Sequence, residues 1–123
     1  VKISLIIRGI CCLYPQRKNL SENIKVISII GHFLEHSRIF WFCNNGDNEV
    51  FIGSADWMRR NLDRRIEAVT PIEDYELKSK IYKLLQTYIK DNYFSWIMNN
   101  DGSYSKFELE SSHNRSQIDL IEK

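Results

Sequence analysis

The 123-residue sequence is poor in residues that break or cross-link a chain. It contains two prolines, five glycines and three cysteines, with no internal repeat and no low-complexity tract. No apolar run approaches the roughly 20 residues that a membrane-spanning helix needs, so we expect no transmembrane segment. With 43% hydrophobic and 27% charged residues, the composition is that of an ordinary globular protein, and the length suits one domain with its own core.

The cysteines are few, and their spacing does not suit a metal site. Cys11, Cys12 and Cys43 are an odd number and include no Cys-x-x-Cys spacing. This pattern argues against a zinc site and against a disulfide scaffold, and it favours a reducing compartment.

The charge balance and the missing motifs narrow the ligand class. The formal net charge is only +1, which disfavours general nucleic-acid binding because such domains are usually strongly basic. The sequence has no P-loop, no glycine-rich dinucleotide motif and no carboxylate triad that could cage a metal. Any anion must therefore be bound by a local cluster of positive charge, and any Mg²⁺ must arrive with the phosphates of a substrate.

The hydrophobic pattern predicts an α/β fold. Apolar residues recur at helical spacing in one segment, whereas the other apolar segments are short and typical of strands. Asn45-Gly46 predicts a hairpin turn between two of these strands. We predict one mixed sheet built from strands over 2–8, 23–28, 39–43, 49–54 and 64–69, with a helix over 74–91 packed on one face. A further short strand is predicted over 104–109.

An arginine-rich segment that follows the strand over 49–54 predicts a phosphate site. Four arginines stand close together after the turn at Gly53-Ser54, namely Arg59, Arg60, Arg64 and Arg65. The guanidinium group is a planar fork of donors that matches phosphate oxygens. His36 precedes the strand over 39–43, and Arg38 lies two residues on, which places both on one face of an extended chain.

Each of these residues also has a plainer interpretation. A lone histidine such as His36 is more often a structural group that caps a turn, and Arg59, Arg60 and Arg64 suit a solvated turn. Arg65 could point inward, although alternation does not settle this. Arg8 ends the first strand, where it would be either a phosphate ligand or a structural partner for an acid such as Asp63.

Four motifs in this order resemble the last domain of the bacterial polyphosphate kinase 1 family. They are the segments 8–13, 20–24, 33–38 and the pair 53–58 with 60–65. The resemblance covers roughly residues 1–72. It implies a phospholipase D-like mixed sheet with flanking helices, forming one half of a two-domain catalytic core. We therefore expect a domain over 1–109 and a polar, flexible tail over 110–123. Because Val1 already reads as part of a strand, we interpret the chain as a piece of a longer one.

The resemblance also implies a reaction. The family reversibly transfers the terminal phosphoryl group of ATP to inorganic polyphosphate through a phosphohistidine, which would lie in the preceding domain, outside this chain. Arg8, His36 and Arg65 match positions that bind substrate phosphates, and His36 would also assist catalysis. The partners implied are ATP or ADP with Mg²⁺, polyphosphate, the preceding domains and further copies of the full-length enzyme. The expected location is the cytoplasm, either free or at a membrane surface. The isolated chain is expected to be inactive.

Two other functions stay open from the residues. In a phospholipase D-type phosphodiesterase half-domain, His36-Ser37-Arg38 would be the His-x-Lys motif. Arg38 in place of lysine, and Cys43 in place of the expected aspartate, count against this function. The other alternative is a polyanion-binding module without a catalytic role.

Overall fold

The computed structural model describes residues 1–107 and 112–122. The chain divides into two compact units, one formed by Val1–Glu35 with Leu84–Lys123 and the other by His36–Lys83. The chain contains both helices and β-strands, the strands arranged in two sheets, so the predicted α/β class is confirmed. Among the described residues, no helix is both long and apolar enough to cross a membrane.

The first unit contains a four-stranded sheet with the order β1-β2-β6-β7. Its strands are β1 (Ile3–Ile6), β2 (Ile24–Ile29), β6 (Ser95–Met98) and β7 (Tyr104–Lys106). β1 and β2 are parallel, and the other two pairs are antiparallel. Four consecutive residues of β2, residues 26–29, are buried, as expected for a strand at the centre of a sheet.

The core of the first unit joins this sheet to helical residues. Ile29, Tyr88 and Phe94 form the buried cluster, and Ile6, Leu84, Ile118 and Leu120 pack against it. Tyr88 and Leu84 belong to α2 (Tyr75–Ile89), which lies within the predicted helix over 74–91. The Asp74 carboxylate accepts a hydrogen bond from the backbone N–H of Leu77 at 2.8 Å, and this cap fixes where α2 begins.

The second unit is built on a three-stranded antiparallel sheet with the order β3-β4-β5. It comprises β3 (Ile39–Phe42), β4 (Glu49–Gly53), β5 (Val69–Pro71) and the short helix α1 (Arg59–Arg64). A 3-10 turn, Asn44–Gly46, joins β3 to β4. Asn45 and Gly46 both have positive φ there, at 54° and 101°, so the turn signal was correctly interpreted.

Two details of the predicted fold are wrong. The strand predicted over 64–69 does not form: Arg64 ends α1, residues 65–68 are irregular, and of this stretch only Val69 belongs to β5. Helix α1 is favoured locally, because the backbone N–H groups of Asn61 and Leu62 bond to the carbonyl of Met58 and Arg59 pairs with Asp63 one turn later. The predicted single sheet is two separate sheets. Strand pairing between distant segments is not readable from local alternation.

The segment expected to be a flexible tail contains ordered structure where it is described. Helix α3 (Ser116–Asp119) lies in it, and both Ser116 and Gln117 are buried, with 1% and 2% of their surface exposed. Residues 108–111 and 123 lie outside the described part, so the predicted end of the last strand and the domain boundary at residue 109 are not tested. Polar composition did not reveal this burial, because the buried side chains are themselves polar and hydrogen-bonded.

Candidate functional site

Arg38 is the centre of the side-chain cluster in the second unit. Its carbonyl accepts a hydrogen bond from the backbone N–H of Gly53 at 3.0 Å, which ties it to the end of β4. Its Nε donates to Oδ1 of Asp56 at 2.9 Å, and its Nη2 lies 2.7 Å from Nε2 of His36. One planar guanidinium group therefore holds a carboxylate and an imidazole at fixed positions. The expectation that His36 and Arg38 share a face agrees with this contact.

The contact with Arg38 constrains the protonation of His36. Guanidinium has only donors, so its contact with Nε2 is a hydrogen bond only when Nε2 carries no proton. The remaining ring nitrogen, Nδ1, then carries the proton and is the atom free to donate to a ligand. In this arrangement Nε2 is occupied by Arg38 and is not available as a nucleophile.

Asp56 remains ionised beside Arg38. The hydrogen bond from Arg38 lowers the pKa of the Asp56 carboxyl below its ordinary value. Partial burial opposes this effect, and the positive charges of Arg38 and Arg60 reinforce it. About a fifth of the Arg38 side chain and a third of the Asp56 side chain are exposed, at 19% and 33%. The pair thus stands at the surface with its orientation fixed.

The Gly53-Ser54 turn has a structural role within the second unit. The Ser54 backbone N–H donates to the carbonyl of Ala68 at 3.0 Å, and Oγ of Ser54 accepts from the N–H of Ala68 at 3.0 Å. The same hydroxyl donates to the Glu67 carboxylate. A Cβ at Gly53 would lie 3.3 Å from the Ala68 carbonyl oxygen. Ser54 therefore fixes the segment that follows α1. The contribution of Glu67 was not predicted, and no local pattern marks it.

The arginines of the segment 59–65 differ in how they are partnered. Arg59 donates from Nε to Asp63 at 3.0 Å, with 96% of the Arg59 side chain exposed. Arg65 follows the last residue of α1 in an extended conformation and is exposed. Within the described residues, Arg65 makes no hydrogen bond or ion pair with another side chain. Its guanidinium group is available to a ligand, whereas that of Arg59 is taken by a neighbour.

Arg8 belongs to the first unit, two residues after the end of β1, and is exposed. It also has no ion-pair partner in the described part of the chain. Asp63, which we considered as a structural partner for Arg8, accepts a hydrogen bond from Arg59. Of the three predicted site residues, His36 and Arg65 are in the second unit and Arg8 is in the first. That all three bind substrate phosphates stays a prediction.

Two further features of the surface do not involve these residues. An open depression of about 540 Å³ in the second unit is lined by residues including Trp41, Tyr75, Lys78 and Tyr82, and none of the predicted site residues lines it. Across the described ranges, no three His, Cys, Asp or Glu side chains are grouped so that they could hold a metal ion.

Comparison with known proteins gives a consistent result. Residues 1–117 match the family described as polyphosphate kinase C-terminal domain 2. The polyphosphate kinase of Parasynechococcus marenigrum is 58% identical over 98% of this chain and 17% of its own length. The polyphosphate kinase of Pseudomonas aeruginosa is 46% identical over 100% of this chain and 18% of its own length.

A solved structure agrees with these sequence matches. The crystal structure of polyphosphate kinase from Porphyromonas gingivalis superposes with a TM-score of 0.92, with 39% identity over 99% of this chain and 19% of that one. The chain thus spans less than a fifth of the length of these relatives. The chain belongs to the polyphosphate kinase family, in which it corresponds to the second C-terminal domain.

Proposed function

We propose that this chain supplies part of the phosphate-binding surface of an enzyme that reversibly transfers the terminal phosphoryl group of ATP to inorganic polyphosphate. The observation that carries the proposal is the contrast between partnered and unpartnered arginines within a chain of this family. Arg38 is held by Asp56 and His36, whereas Arg8 and Arg65 are exposed without ion-pair partners. Phosphoryl transfer depends mainly on positioning and on positive charge around the transferring group.

Arg8 and Arg65 would bind the phosphate oxygens of ATP and polyphosphate. A free guanidinium group can donate two parallel hydrogen bonds to one phosphate, which fixes direction as well as charge. Arg59 could do this only after leaving Asp63. Within the described ranges, Arg60 and Arg64 are likewise exposed without an ion pair, so the proposal assigns Arg8 and Arg65 to the substrate because these two also match phosphate-binding positions of the family, and it leaves Arg59 outside the site.

His36 would act on the transferring group without becoming phosphorylated. The hydrogen bond from Arg38 occupies Nε2, so the N–H at Nδ1 can donate a hydrogen bond to a phosphate oxygen while keeping its proton. This arrangement supports stabilisation of the transferring group by a hydrogen bond and not nucleophilic attack from Nε2. The phosphohistidine would then lie in a preceding domain of the same polypeptide, as the family resemblance implies.

Mg²⁺ would enter with the nucleotide, neutralising charge on the phosphates. The described residues offer it no cluster of ligands, and Asp56 is engaged by Arg38. Its protein ligands would therefore come from other domains. Assembly of the full-length enzyme into a homo-oligomer and a cytoplasmic location remain predictions.

The proposal is tested with radiolabelled ATP and the whole protein that contains this chain. We expect label to enter acid-insoluble polyphosphate, and His36→Ala to lower turnover while labelled phosphoenzyme still forms. The isolated 123-residue chain should form neither product. Stoichiometric phosphohistidine at His36 would overturn the assignment, as would unchanged turnover of His36→Ala.

A further inference from the structure

The loop that leads into His36 is held by one buried side chain, that of Gln117. Oε1 of Gln117 accepts a hydrogen bond from the backbone N–H of Phe33 at 3.0 Å, and its Nε2 donates to the carbonyl of Phe33 at 2.8 Å. The oxygen and the nitrogen of the carboxamide thus both bond to the backbone of Phe33, as the backbone of a neighbouring β-strand would. A flipped carboxamide would put donor against donor and acceptor against acceptor, so its orientation is fixed. Only 2% of Gln117 is exposed.

The same loop makes two further contacts that converge on Glu35, the residue directly before His36. Nε2 of Gln117 also lies 3.4 Å from Oε1 of Glu35, and the hydroxyl of Tyr88 donates to Oε2 of Glu35 at 3.1 Å. At the start of the loop, a Cβ on Gly31 would collide with the Gln117 carboxamide. Gln117 therefore contacts this loop at alternate residues: at Gly31, at the backbone of Phe33 and at the side chain of Glu35.

Gln117 is itself anchored, because the start of α3 is fastened to a buried carboxylate. Oδ2 of Asp91 accepts from both the backbone N–H and the hydroxyl of Ser116, at 2.7 and 2.6 Å. Asp91 is 0% exposed and Ser116 is 1% exposed. Three further hydrogen bonds, each involving Asn92 or Asn114, join the stretch of chain around Asp91 to the stretch that precedes α3. The residues that hold Gln117 in place are therefore rigidly fixed, and they lie far from the loop in sequence.

We propose that Gln117 is a positioning residue that sets the backbone entering His36, and hence the placement of the His36 imidazole. This inference rests on the proposed function, because it requires that His36 assist phosphoryl transfer. Hydrogen bonds hold the backbone of Phe33, three residues before His36, and the side chain of Glu35, the residue directly before it. A catalytic group misplaced by about 1 Å can lose about a hundredfold in rate, so such support has a measurable effect.

The test is a double-mutant cycle in the whole protein, with ATP-to-polyphosphate turnover measured below the melting temperature of every variant. If Gln117 acts through His36, Gln117→Ala lowers kcat and leaves KM for ATP within about twofold. Combining it with His36→Ala then causes little further loss, because the group being positioned is gone. The matched control is Ile118→Ala, which removes core packing from the same helix but touches no loop hydrogen bond. It should lower the melting temperature while leaving kcat within about twofold.

Gly31→Ala is the second variant, for the case in which Gln117→Ala does not fold. Its new Cβ displaces the carboxamide, so it should reproduce the loss in kcat and the non-additivity with His36→Ala. If the losses of His36→Ala and of the loop variant multiply, or if Ile118→Ala lowers kcat as much, the positioning role is overturned while the proposed function stands. If His36→Ala alone has no effect, the role of His36 fails and the positioning role fails with it.

Discussion

The two units of the chain use their polar residues in opposite ways. In the first unit, polar side chains such as Asp91, Ser116 and Gln117 are buried and hydrogen-bonded. In the second unit, the described buried residues are only Val50, Ala55 and Asn61, and the arginines after β4 stand at the surface. A buried polar network fixes one geometry because each unmade hydrogen bond is costly. An exposed, unpartnered arginine is instead available to an anionic ligand. The first unit therefore contains a rigid polar frame that the second lacks, while exposed arginines occur in both units, Arg8 in the first and Arg65 in the second.

The largest effect should come from breaking the frame at Asp91. Its carboxylate accepts hydrogen bonds from the N–H groups of Tyr93, Phe94 and Ser116 and from the Ser116 hydroxyl. Asp91→Ala leaves these donors unsatisfied in the interior, so we expect a loss of about 3 kcal/mol or more in the free energy of unfolding. Urea denaturation of the 123-residue chain measures it.

Asp74→Ala is the matched control for Asp91→Ala. Its carboxylate caps α2 at the surface through one hydrogen bond to Leu77, and losing such a cap costs about 1 kcal/mol. Equal losses for the two variants would mean that the buried network adds nothing beyond an ordinary surface hydrogen bond, and the contrast between the two units would be lost.

The next effect should appear at the two exposed arginines that we propose bind phosphate. In the whole protein, Arg65→Ala and Arg8→Ala should each remove a charge-assisted contact to phosphate, worth roughly 1.5 to 3 kcal/mol, or about one to two powers of ten in kcat/KM. Lysine at either position should restore only part, since a point charge cannot reproduce the fork. Folding should be unchanged, because both side chains are exposed.

Arg59→Ala supplies the comparison for these arginine variants. Arg59 lies in the same segment as Arg65 and carries the same charge, but it is paired with Asp63 at the surface. We expect its kcat/KM to stay within about twofold of the unmodified enzyme. A loss as large as that of Arg65→Ala would show that net charge matters and not the availability of one guanidinium group.

Sequence reasoning succeeded where the determining interactions are local. The helical spacing of apolar residues predicted α2, and the positive-φ tendency of Asn45-Gly46 predicted the turn between β3 and β4. The proximity of His36 and Arg38 followed from their two-residue separation, and the contact at 2.7 Å agrees with it.

Sequence reasoning failed where the determining interactions join residues that are distant in sequence. The pairing of β2 with β6 joins segments about 70 residues apart, and the division into two sheets depends on such pairings. Gln117 was assigned to a polar tail because its partner, Phe33, lies 84 residues away. A glutamine that bonds to a backbone group far away in sequence leaves no periodic pattern. This part of the candidate site could therefore be identified only from the fold.

The smallest predicted effect concerns the pH dependence of the Asp56–Arg38 pair. The hydrogen bond from Arg38 lowers the pKa of Asp56 in the folded chain below the ordinary value of 3.8. A carboxyl group of this kind stabilises the fold fully above the unfolded pKa, and the stabilisation is lost as the pH falls through the folded pKa. Because both side chains are partly solvated, we expect the pair to contribute less than about 1 kcal/mol.

Urea denaturation of the unmodified chain and of Asp56→Asn at pH 6 and at successively lower values measures this contribution. The advantage of the unmodified chain should be constant above about pH 5, shrink progressively as the pH falls from there through the lowered pKa of Asp56, and fall when salt is added. An advantage that grew as the pH fell would contradict the assigned direction of the pKa shift, and Arg38 would then be held by something other than an ionised Asp56.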